Sequence, residues 1–167
     1  MTIRPVLELP DRRLRTPAVA AGTVDDAVRA LVADLLDTMR ASPACVGLAA
    51  TQIGVGVRVA VVDVTGHRKA KSCHGELVLV DPVLDAHAPS TELAREGCMS
   101  VPHLTGDVPR AEWVRVRGLD GDGEPILVEA DAFEARALLH EIDHLDGHVF
   151  LDRVASRAAV FRRRVYR

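Results

Sequence analysis

The sequence predicts a single domain, residues 1–167, of mixed helix and strand, in which strand-forming segments follow one another between two helices. Three observations predict it. Residues 131–147 carry apolar side chains on most faces of a helix, the pattern of a central, buried one. Residues 23 to about 40 repeat apolar side chains at helical spacing. Between these helices, short segments rich in β-branched residues alternate with polar or glycine-containing turns.

The composition sets bounds on function. A chain of 167 residues is long enough to bury its own core, and 48% apolar with 27% charged residues is ordinary for a soluble globular protein. A formal charge of −3 argues against general binding to DNA or other nucleic acid. No run approaches a membrane span, and the start Met1-Thr-Ile-Arg-Pro5 lacks the long apolar segment of a secretory signal. Cys45, Cys73 and Cys98 are odd in number and widely spaced, which is no disulfide framework. The expected setting is a reducing cytoplasm, where a cysteine can serve as a ligand, and the expected state is a monomer.

Taken in order, residues 1–22 hold prolines at 5, 10 and 17 and read as an irregular or extended lead-in. Thr23 with Asp26 resembles a helix cap, and Val24, Ala27, Leu31, Leu35 and Met39 follow at helical spacing. Ser42-Pro43 ends that scaffold helix. In Cys45-Val-Gly-Leu-Ala-Ala-Thr-Gln-Ile-Gly54, small residues permit close backbone approach, and Gln52 places a neutral amide among apolar neighbours. A buried glutamine needs partners, either backbone or an oxygen of a substrate. Residues 55–64 and 77–80 read as strands joined by a polar loop, with Cys73 in the loop and His67 at its edge, both expected to be solvated. Further strands are expected near 89–95, 113–118 and 125–130, with Asp120-Gly-Asp-Gly123 turning between the last two. There is no repeat and no domain linker. After Gly147, Arg157, Arg162, Arg163, Arg164 and Arg167 follow with no acid beyond Asp152; this reads as a solvated helix end, with a weak ribosomal RNA contact as the alternative.

The chemistry centres on His140-Glu141-Ile142-Asp143-His144. Residues four apart on a helix share a face, so His140 and His144 can offer two imidazoles to one cation. Glu141 lies about 100° round, where its carboxylate reaches a reacting water without being a ligand. This is the arrangement of a metal-assisted hydrolase. Asp131 with Glu134 gives a capping-box-like start and Gly147 a stop, so the pair lies well inside the helix. Phe133, Ala137, His140 and His144 form one stripe, opposite Ala135, Leu138, Leu139, Ile142 and Leu145. Two core histidines with local partners are the bland alternative; the glutamate between them, away from the main apolar face, favours the metal reading.

A catalytic metal usually has three protein ligands and an open position. A histidine six residues after His144 would extend the motif in one known way, but Phe150 stands there, and no glutamate follows Glu141. Asp146, His148 and Asp152 are nearby, though His148 follows the helix-ending Gly147. The better candidate lies upstream. Cys98, in Arg95-Glu-Gly-Cys-Met-Ser-Val-Pro102, is flanked by a glycine that suits close backbone approach, and a thiolate is a strong ligand for a borderline divalent ion.

With these stretches in hand, the sequence resembles the peptide deformylases. The likeness rests on Gly47-Leu-Ala-Ala-Thr-Gln52, Glu96-Gly-Cys-Met-Ser100 and His140-Glu-Ile-Asp-His144 in that order, together with Leu9-Pro-Asp-Arg-Arg-Leu-Arg15 and Val108-Pro-Arg110, and covers roughly residues 3–155. The resemblance implies an α+β fold, with small antiparallel sheets wrapped around the helix that carries the histidines. It implies one divalent cation, Fe2+ first and Ni2+, Co2+ or Zn2+ as substitutes, held by Cys98, His140 and His144. Glu141 would act as general base and then acid, with Gln52 and the backbone N–H of Met99 facing the developing negative oxygen. The substrate would be an N-formylmethionyl peptide, hydrolysed to formate and a free amine. Its methionine would sit among Val46, Phe133, Ala137 and the His140 ring, with Ala94 near the mouth, and its backbone would pair near Gly47.

Several positions depart from the family pattern. Cys45 stands where glycine is frequent, Leu139 where glutamine is usual, Met99 for leucine and His148 for an apolar residue. His103, Leu104 and Thr105 lie where many members carry a glycine, an aromatic residue and an arginine. No ligand or base is lost, so these changes bear on the rim and the preferred substrate rather than the chemistry. An amidase acting on another small N-formyl compound is therefore the runner-up. A metal-binding protein without catalysis has no need of Glu141 and Gln52, and an endoprotease does not suit an upstream third ligand.

Overall fold

Helix α1, Asp26–Ala41, begins where the Asp25 carboxylate accepts the Val28 N–H at 2.9 Å. The cap is thus Asp25 rather than Thr23, because its carboxylate sits three residues before an unsatisfied helix donor. The buried stripe is Val28, Val32, Leu35 and Met39, while Ala27 is exposed and Leu31 half-buried. The computed structural model describes residues 2–163.

Eight strands follow or interleave: β1 Gly47–Ala49, β2 Val59–Val62, β3 Leu77–His87, β4 Thr91–Cys98, β5 Val101–Ala111, β6 Trp113–Leu119, β7 Pro125–Asp131 and β8 Val160–Arg162. They form two antiparallel sheets, ordered β1-β2-β3-β6-β7 and β4-β5-β8. Helix α2, Ala132–Leu145, lies between them, so the architecture is α+β with sheets wrapped on a central helix.

β2 shows why the core sits where it does. Val59 and Val61 pack with the α1 stripe, whereas Val62 packs with Leu138 and Ile142 of α2. All four residues of β2 are fully buried because a helix covers each face. Burying such a valine contributes about 1.5–3 kcal/mol, so this strand anchors both layers. A third cluster, Cys98, Val101, Val108, Val149 and Phe150, joins the smaller sheet to the chain after α2.

Several boundaries differ from expectation, each for a local reason. Residues 55–58 turn before β2, with Val57 bridging Val19. β3 continues through Pro82 to His87 by way of a register shift between Val80 and Val83, a place where a strand tolerates proline. Asp81, at φ 51°, turns its carboxylate to the N–H groups of Ala21 and Gly22, both at 2.8 Å. β5 was not anticipated, since Pro102, Gly106 and Pro109 break its strand pattern. The turn Asp120–Gly123 joins β6 to β7 as expected. Among the described residues, the arginine-rich end is not a helix terminus. A short 3-10 turn, Arg157–Ala159, leads into β8, which pairs Leu104, Thr105 and Gly106 with Arg162, Phe161 and Val160. Arg164 and Arg167 lie outside the described residues. Among the described residues no helix is long and apolar enough to cross a membrane.

Candidate metal centre

Helix α2 is tied at its start by tertiary contacts. Asp131 is the N-cap but accepts the Ser72 N–H at 2.9 Å instead of a helix donor. Glu134, fully buried, takes the His74 N–H at 2.8 Å and pairs with His74 Nδ1 at 3.0 Å. The expected capping box is therefore replaced by two clamps on the β2–β3 loop. At the other end Gly147, at φ 79°, stands where a Cβ would meet the Arg15 carbonyl oxygen at 2.9 Å.

One helical turn separates His140 and His144, whose rings lie edge to face at 4.9 Å. Cys98, the last residue of β4, brings Sγ to 3.2 Å from His144 Nε2. One donor atom from each of Cys98, His140 and His144 lies within 4.8 Å of the others. Asp146 is engaged by Arg58, and Asp152 by Arg15 and the Val149 N–H, so neither joins the cluster. His148 lies outside it as well.

The donor set fits a divalent cation. Burial by itself would raise the Cys98 thiol, but the imidazoles of His144 and His140 hold it well below its ordinary range, as the thiolate form that ligates metals. Glu96 accepts from His140 Nδ1 at 2.9 Å, an outer-shell contact that sets the tautomer and leaves Nε2 for a ligand. His144 Nδ1 and Glu141 Oε2 are buried polar atoms with no protein partner among the described residues.

Glu96 is itself locked. Arg110 grips both its oxygens, at 2.9 and 3.1 Å, and Arg136 adds a contact at 2.8 Å. Burial opposes its charge, yet the hydrogen bonds from His140 and Arg110 hold the Glu96 carboxyl far below the usual carboxylate range. Arg110 also reaches Asp143 on α2, and Arg153 closes on Asp143 at 2.8 Å. Removing one member leaves buried charge underpaired. Arg110→Met is expected to lower the unfolding free energy by about 3 kcal/mol, read from urea midpoints at fixed metal loading.

Around this centre lies a cavity of about 500 Å3. Val46, Gly47, Phe133, Ala137, Gln52 and Met99 line it with Cys98, His140 and Glu141, while His144 lies buried behind that wall. Ala94 stands on β4 outside that wall, whereas Arg95 belongs to it. Gln52 is fixed from both ends. Its Oε1 accepts the Ala49 N–H at 2.9 Å, and its Nε2 donates to Ser100 Oγ at 3.2 Å and lies 3.5 Å from Cys98 Sγ. A Cβ at Gly47 would meet Glu141 Oε1 at 2.5 Å, so glycine leaves room for that carboxylate. Burial raises the Glu141 carboxyl to about 7 against the opposing pull of both imidazoles. Burial, with Glu141 nearby, pushes the Cys45 thiol up to about 12, so it stays a neutral wall group.

The sequence predicts a solvated His67. Instead its ring stacks on Phe133, with centroids 3.7 Å apart and planes 8° from parallel, and it lines the cavity. Cys73 is exposed as expected. Glu96, Arg110 and Asp143 lie in the motifs that carry the resemblance but have no role assigned from sequence, and Arg136 lies in none of them. Glu96 could have been given one, since residues two apart on a strand share a face and Glu96 is two before Cys98. A larger groove, about 610 Å3, lies on the far side of α2, but Arg58, Arg110 and Arg153 within it are paired with Asp146 and Asp143.

A sequence profile described as polypeptide deformylase matches residues 3–159. The chain belongs to that family. A peptide deformylase of Methylocella silvestris is 41% identical over 165 residues, covering 98% of this chain and 84% of that protein. Among solved structures, a peptide deformylase from Legionella pneumophila is 38% identical with a TM-score of 0.84, covering 95% of this chain and 89% of its own. The peptide deformylase of Ehrlichia chaffeensis in complex with actinonin is 32% identical with a TM-score of 0.88, covering 95% and 92%.

Proposed function

We infer that this chain is a peptide deformylase, a hydrolase that removes the N-formyl group from the initiator methionine of a new polypeptide and releases formate. The observation that carries the reading is the cluster of Cys98, His140 and His144 at a cavity that Cys98, His140, Glu141 and Gln52 line. Cys98, His140 and His144 hold one divalent cation, with Fe2+ proposed and Ni2+, Co2+ or Zn2+ able to substitute; a thiolate with two imidazoles suits these ions. The bound cation supplies Lewis-acid polarisation.

The chain's own groups do the rest. Glu141 takes the proton of the attacking water and returns it to the amine nitrogen as the C–N bond breaks. One Glu141 oxygen packs against Gly47 and the other has no protein partner among the described residues, which leaves the carboxylate free for both transfers. The Gln52 Nε2 amide and the Met99 N–H donate to the oxygen that gains negative charge, each donor worth roughly 3 kcal/mol in the transition state. Val46, Phe133, Ala137 and the His140 ring receive the methionine side chain. β1 supports backbone pairing of the substrate near Gly47, since among the described residues it is the edge strand of its sheet, beside β2.

The whole chain, 1–167, is proposed to act as one catalytic domain, a cytoplasmic monomer. Exposed Arg157 and Arg162 support a weak ribosome contact. The test is formate release from formyl-Met-Ala-Ser by protein prepared without oxygen and loaded with iron or nickel. Prompt release is expected. Release from other small formyl compounds but not from this peptide would transfer the assignment to a different formyl amidase.

A further inference from the structure

The mouth of the candidate site carries an excess of positive charge that its chemistry does not use. Lys69 reaches the cavity wall from the β2–β3 loop, two residues after the His67 ring that stacks on Phe133. Arg163 reaches it from the chain just after β8, its guanidinium lying directly against Gly97. Among the described residues no carboxylate pairs with either side chain. Arg95, the third cation of the rim, differs: Asp107 takes its Nε at 2.5 Å, and its guanidinium covers Phe161 at 3.8 Å. The acids of the wall are Glu96 and Glu141, both buried, and Glu96 is already neutralised by Arg110, Arg136 and His140. The rim therefore holds two uncompensated cations on a chain whose formal charge is −3.

Given the proposed function, geometry decides what meets these cations. The formyl group must lie at the cluster of Cys98, His140 and Glu141, and the methionine side chain in the apolar wall. The residues after methionine then leave through the mouth, between the β2–β3 loop and the segment after β8. We propose that Lys69 and Arg163 make this site selective for formylpeptides with Asp or Glu at the first or second position after methionine, and disfavour Lys or Arg there. The sequence around Thr105 fits this role, because β8 pairs over Leu104 and Thr105 and so delivers Arg163 to the rim.

Both cations are exposed, so the preference is modest and salt-sensitive. Surface charge pairs contribute little individually and are screened within about 8–10 Å at physiological salt. Attraction of an acidic residue and repulsion of a basic one together give roughly a five- to tenfold difference in kcat/KM.

The experiment compares formyl-Met-Ala-Ser-amide, formyl-Met-Asp-Ser-amide and formyl-Met-Lys-Ser-amide on the metal-loaded protein at low and high salt; amides remove the terminal carboxylate. The Asp peptide should exceed the Lys peptide by that factor at low salt, and the ratio should shrink at high salt. In Lys69→Met/Arg163→Met the ratio should fall to near unity, and in Lys69→Glu/Arg163→Glu it should invert. Because each ratio is taken within one protein preparation, partial loss of folded enzyme does not mimic the result. Hydrolysis of the Ala peptide with equal rates for Asp and Lys, or a preference that survives both double variants, overturns this proposal alone. Hydrolysis of none of the three removes the deformylase reading as well.

Discussion

Glu141→Ala is expected to keep its cation and to release formate about 10³–10⁴-fold more slowly than the parent. A positioned acid–base group contributes up to that range, and no second carboxylate in the cavity can replace this one. Glu96, the other acid of the wall, is held ionised by two arginines and His140. Cation content by elemental analysis beside formate release would separate the roles. Turnover within tenfold of the parent, with cation retained, would remove Glu141 from the mechanism. Because Gly47 packs directly on the Glu141 carboxylate, Glu141→Gln serves as the variant that preserves shape.

Cys98→Ala is expected to lose both cation and activity. The two histidines that remain sit on one helix and offer one side of a coordination sphere, whereas Cys98 closes it from β4. Loss of an outer-shell partner alone costs about 10–100-fold in metal affinity, and loss of a ligand should exceed that. Equilibrium dialysis against the metal gives the affinity directly. A variant that retained full metal occupancy would place the third ligand elsewhere. Asp146 and Asp152, the acids that follow His144 in the sequence, are already engaged by arginines.

Much of the centre was legible because its logic is local. His140 and His144 share a face through the helical repeat alone, and Glu141 follows from the same angle. Gly47 and Gln52 stood out as a small residue and an amide in an apolar stretch. Cys98 was reached by chemistry, since the downstream candidates lacked the right residue types or helical placement. β6 and β7 were legible from their β-branched residues and the Asp120–Gly123 turn between them.

Other features could not be read along the chain. β5 contains two prolines and a glycine, and it is a strand because β4 and β8 pair on either side of it. The charge lock of Glu96, Arg110, Arg136, Asp143 and Arg153 draws on β4, β5, α2 and the segment beyond, and no spacing in sequence relates them. His67 looked like a loop residue; two clamps from Ser72 and His74 to α2 carry its loop onto Phe133. By itself, then, the sequence determined the secondary-structure periods and the side chains that could bind a metal and move a proton. Only the tertiary structure decided which charges are buried together, which loop walls the cavity and where unpaired cations stand at its rim. Periodicity is set by the backbone over one or two turns, whereas burial and pairing depend on segments far apart in the chain.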